Sequence, residues 1–207
     1  MTEQDICELF PSDSPGRSAA EALISRATPS LLAGDPLDPA ISEKLAHLDG
    51  ASLFGQAPIF DPALAEGARA GLLLWNDDFE ASHRVAQDIS NVTGSYWHGV
   101  CHRREGHRGA GLASNMDNTR YWFRRVSSHP IFPALYGEAL ALLQAASPEM
   151  CEILSHRGSW DPFLFIDWIQ ACEEGANSDR RALEAIQAAE MKLLLEYSAR
   201  GARETRA

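Results

Sequence analysis

The segment Ser95–Glu105, SYWHGVCHRRE, holds the side chains with the greatest chemical reach in this sequence. His98 and His102 stand four residues apart, and Glu105 follows three later. On a helix turning about 100° per residue these three fall within ~60° of one face. A histidine pair at i and i+4 is how one helix presents two imidazole ligands to a single metal. The spacing here is H-x3-H-x2-E, without the glutamate between the histidines that a zinc protease helix carries. His83, at the edge of the apolar face of the preceding helix, would be a third ligand. That set defines a metal-dependent enzyme, with His83, His98 and His102 on a divalent ion and Glu105 as general base. The same residues also fit histidines at the edge of a core, each bonded to a carbonyl or carboxylate of the next helix. A third fit is a set of donors around a bound anion. Cys101, on the Trp97 side of the helix, reads as a buried and unreactive thiol.

Two further segments supply partners. In DNTRYWFRRVSSHP, Trp122, Phe123 and Val126 face a core, Tyr121 and Arg125 share one flank, and Arg120 and Arg124 form a solvated face. Aromatic rings interleaved with arginine are suited to phosphate or carboxylate, and Arg125, between Tyr121 and His129, is the best placed for it. Asp167, between Ile166 and Trp168 in FLFIDWIQAC, is expected to be at least partly buried and paired with a basic group from Trp97–Arg125.

The elements that must position these groups are helices. Asp61-Pro62 is an N-cap followed by proline at the first helical position, opening a helix to Trp75. After the turn Asn76-Asp77-Asp78, the residues Phe79, Ser82, Val85, Ala86 and Ile89 fall on one helical face. Thr93-Gly94 marks a break before a helix from Ser95 to about Arg104. Gly106–Asn115 reads as a loop, with Asp117 or Asn118 capping the next helix through Val126. Further helices are expected over Phe132–Ala145, Asp161–Cys172, and from Ser178 or Asp179 to Ala199. Prolines at 11, 15, 29, 36, 39 and 58 make residues 1–60 an irregular cap, with short helices at Ser18–Arg26 and Pro39–His47. The expectation is therefore one all-α domain over 1–207, with a helical body at 61–199. Asp78 and Asp117, as helix starts 39 residues apart, suggest antiparallel αα-hairpins of tetratricopeptide-like spacing.

Composition narrows the function. With 45% hydrophobic residues the chain of 207 can bury a sizeable core. A net charge of −11 argues against a nucleic-acid binder. The stretch His98–His129 nevertheless holds six arginines against Glu105 and Asp117. Four scattered cysteines form no metal or disulfide pattern and suit a cytoplasmic protein. No apolar run is long enough to span a membrane, and the acidic start lacks the charge pattern of a secretory signal.

The strings SYWHGVCHRREG and NTRYWFRRVSSHP, with LLWNDDFEASH before them and WDPFLFID after, resemble an uncharacterised family. Its pattern has the form YWH-x3-HRRE, then N-x2-YWFRRV-x2-HP. The resemblance covers Leu72–Pro130 and Trp160–Asp167 and implies no activity. It implies His83, His98, His102, Arg103, Glu105, Asn118, Tyr121, Trp122, Arg125 and Asp167 as site residues. The connection GHRGAGLASNMD is longer than that pattern expects, which leaves His107 and Arg108 outside the set. The preferred expectation is a His/Arg/Glu-lined pocket for a small anionic ligand. The three-histidine metal-dependent enzyme and a protein-interaction module with structural histidines are the alternatives.

Overall fold

A computed structural model describes residues 6–24, 28–176 and 179–205. Among them are ten α-helices, one 3-10 turn at Ala51–Phe54, and no strand. The helices are α1 Pro15–Ile24, α2 Pro39–Ala46, α3 Pro62–Trp75, α4 Phe79–Gln87 and α5 Val92–Glu105, then α6 Leu112–Val126, α7 Phe132–Ala146, α8 Pro148–Arg157, α9 Pro162–Glu173 and α10 Arg180–Arg203. The Arg26 end of the first expected helix and the start at Ser178 lie outside the described residues.

Three helices open with the same local chemistry. Asp38, Asp61 and Asp161 each accept a backbone N–H of the first turn, and each is followed by proline. The proline lacks an N–H that the first turn would leave unsatisfied, and its φ is already helical. Two expected starts move. The third expected helix begins at Val92 rather than Ser95, because Asn91 accepts the N–H of Gly94 and caps it. The next begins at Leu112, behind Gly111, so Asp117 and Asn118 lie inside α6 and neither caps it. The 39-residue correspondence therefore ends at Asp117. Helix α8 falls where no helix is expected.

α5 is the central element. Its residues Thr93–Arg104 are all buried, with α3, α4 and α6 packed around it. Trp97 lies against Gly71 of α3 and donates its indole N–H to Ser198 of α10 at 3.2 Å. The pairings His98 with Trp122 and His102 with Asn118 advance in opposite directions along α5 and α6, so these two helices are antiparallel. α10 packs on α3 and α7. The N-terminal region is less irregular than its prolines suggest: Leu23, Leu31, Leu45, Leu53 and Phe54 are fully buried in the same core. None of the described helices is long and apolar enough to cross a membrane.

Candidate metal centre

Ser82 sets the position of α4. Its hydroxyl donates to the Ala70 carbonyl of α3 at 2.8 Å and contacts Cys101 of α5 at 3.3 Å. One residue on, His83 is carried toward the face of α5 that bears His98 and His102. The His83 ring centroid lies 4.4 Å from that of His98 and 4.9 Å from that of His102. The i, i+4 spacing stacks His98 on His102 at 4.8 Å.

All three rings turn a nitrogen inward. His83 Nε2 is 2.9 Å from His98 Nε2 and 3.3 Å from His102 Nε2. The three candidate ligand atoms lie within 4.8 Å of one another. Nitrogens bound to one ion at ~2.0–2.1 Å stand about 3.3 Å apart in a tetrahedral site. Two of the three edges are therefore close to the required length, and the third must close by at most about 1.5 Å.

The second nitrogen of His102 faces Glu105 Oε2 at 3.1 Å. With Nδ1–H donating there, Nε2 keeps its lone pair, and Asn118 donates its amide N–H to that lone pair at 3.0 Å. A carboxylate on the far nitrogen is how metal-bound histidines are usually oriented. Glu105 therefore meets the His102 ring at Nδ1, on the side away from Nε2. His98 stacks on Trp122 at 4.0 Å, and its buried Nδ1 has no protein partner.

The electrostatics favour neutral rings at His83 and His98. Burial, with added repulsion from His83 and His102, pushes His98 down to about 3. Burial and the nearby His102 also lower His83. Neutral imidazole is the form that binds a metal. It is also a form without charge to offer an anion, so a His98 that strengthens anion binding as pH falls through about 6.5 has no support in this geometry.

The other expected site residues divide. Asn118 and Trp122 touch the cluster, one turn apart on α6. Arg125 is exposed, 5.3 Å above the Trp122 ring, and Tyr121 meets the edge of that ring at 5.4 Å. Arg103 is not at the site. It is fully buried on another side of α5, paired with Glu190 and lying 4.9 Å over Phe165. Asp167 also lies elsewhere, bonded to Arg120 at 2.6 Å. That partner falls within the expected stretch, but Asp167 is exposed: α9 buries Phe165, Ile166, Trp168 and Ile169 and turns residue 167 outward. Such a pair contributes about 0–1 kcal/mol and does not leave a buried charge when broken. Cys101 is buried and its thiol pushed up to about 12, the inert state expected of it. Phe79, expected on the apolar face of its helix, borders the cluster with its ring 5.7 Å from that of His83.

No family model, no curated protein and no solved structure matches this chain. The chemistry of the centre has to come from its own geometry.

Proposed function

We propose that the protein is a metal-dependent enzyme that binds one divalent transition ion, of the zinc class, through His83, His98 and His102. The observation that carries this reading is the convergence of three imidazole nitrogens from two helices on one point. Structural zinc sites close with four protein ligands, whereas catalytic sites use three and leave a position for water. Among the described residues the cluster has three members, and Glu105, which contacts it, is engaged on the far side of His102. Such an ion would lower the pKa of a bound water and polarise a carbonyl or phosphoryl oxygen. The four cysteines, scattered along the chain without a metal or disulfide spacing, support a reducing, cytoplasmic setting.

The test is metal analysis of protein prepared without a polyhistidine tag, followed by titration of the chelator-treated chain with Zn²⁺. One equivalent is expected, with tight binding lost in His83→Ala and in His98→Ala. A chain that takes up no stoichiometric ion, or takes it up equally without these rings, would overturn the reading.

A further inference from the structure

We infer that the free position of this centre receives a small oxyanion, a carboxylate or phosphate, held by Asn118 and Arg125. The inference rests on the metal reading above and adds the class of molecule that the centre takes.

The first observation is the donor on α6. The Asn118 amide N–H is 3.0 Å from His102 Nε2, the nitrogen whose lone pair an ion would take. A bound ion removes the acceptor that Asn118 now uses and leaves the amide beside the remaining coordination positions. A donor placed there needs an acceptor, and an oxygen of the ion's outer ligand is the nearest chemistry that supplies one.

The second observation is Arg125. Its guanidinium lies over Trp122, and Trp122 stacks on His98, so the fork of donors stands one aromatic ring from the cluster. Among the described residues no carboxylate is within ion-pairing distance of Arg125, whereas Arg120 on the same helix is paired with Asp117 and Asp167. An exposed guanidinium matches two oxygens of a carboxylate or phosphate.

Charge around His83 is mixed. Glu80 and Glu105 act on His83 with one sign and Arg84 with the other. The α6 side carries Arg125 and the Asn118 amide, and Trp122 gives it an apolar wall. Polar donors beside an aromatic wall are how small polar ligands are oriented. The anion therefore approaches from α6.

Cobalt(II) is a suitable probe, because its visible absorption changes when the fourth ligand changes. The chelator-treated chain is loaded with Co²⁺ and titrated with acetate in one series and phosphate in another. Cobalt content is measured on every preparation. A saturating spectral shift is expected with at least one anion, and the tighter one identifies the class. Arg125→Gln and Asn118→Ala should each weaken it on the order of tenfold per bound cobalt, whereas Arg124→Gln should match the parent. A loaded chain that responds to neither anion overturns the inference, as does one whose response is the same in Arg125→Gln and Asn118→Ala as in the parent. Both results leave the metal reading standing. A chain that takes up no cobalt overturns the metal reading and this inference together.

Discussion

His129 is held uncharged by its surroundings. It is buried where α6 hands over to α7, its Nε2 meets the Thr93 hydroxyl at 3.2 Å, and its ring packs against Tyr96, Phe132 and Tyr197. Burial pushes it down to about 4 from an ordinary value near 6.5. Between those two values the unfolded chain binds more protons than the folded one, so stability rises with pH across that window. The contribution is fully present above about 6.5 and is lost as pH falls toward 4; the lowered His83 and His98 act in the same direction. Urea unfolding of metal-free protein should show declining stability from pH 7 to pH 4.5, and His129→Phe should flatten part of that decline. An identical slope in the variant would remove His129 from the account. At this scale the sequence was legible where geometry is local. The spacing of His98, His102 and Glu105 reads directly as one helical face. The half-buried Trp122 was expected in the core, and its stack on His98 needed the docking of α6 on α5 to appear.

Gly94 shows how an element's start can be misread. Thr93-Gly94 looks like a break, yet both residues lie in the first turn of α5. Gly94 is there because of contact rather than flexibility: a Cβ at this position would overlap the Ile89 carbonyl oxygen and its side chain. The chain entering α5 folds back tightly over that turn. Gly94→Ala must push it away and disturb the Asn91 cap, at a cost of about 1–3 kcal/mol. Chemical denaturation measures this, and a variant as stable as the parent would mean that the entry is not packed as described. Helix boundaries were legible where a side chain signals them, as at Asp38-Pro39, Asp61-Pro62 and Asp161-Pro162. They were not legible at α6, whose Gly111 cap makes no side-chain bond. α8 escaped notice because it buries little beyond Met150 and Leu154, leaving weak apolar periodicity.

Across the whole molecule, α5 is tied to α10 by charge in the core. Arg103 and Glu190 are both fully buried and paired, although 87 residues separate them. Tyr96 donates its hydroxyl to Glu190 at 2.8 Å, Gln187 accepts from Arg103 Nε at 3.3 Å, and Gln187 in turn donates to the Ser30 and Leu31 carbonyls. Burial and the adjoining carboxylate raise the Tyr96 phenol well above its ordinary range, so it stays a donor. The metal-ligand face and this ionic face occupy different sides of one helix, and residue 103, next to His102, belongs to the second. Nothing local announces that, since the partner is chosen by tertiary packing. Glu190→Leu leaves the guanidinium buried without a counter-charge and Tyr96 without its acceptor, which should cost about 3–5 kcal/mol. In the double variant Arg103→Met, Glu190→Leu the stranded charge is gone, and most of that loss should return, because a buried ion pair contributes little over apolar groups of similar volume. Urea denaturation of the parent, both single variants and the double variant completes the cycle. A Glu190→Leu protein within about 1 kcal/mol of the parent would show that the pair is dispensable. A double variant no more stable than the worse single one would show that the rest of the polar network, from Tyr96 through Gln187 to the Ser30 carbonyl, depends on the charges being there.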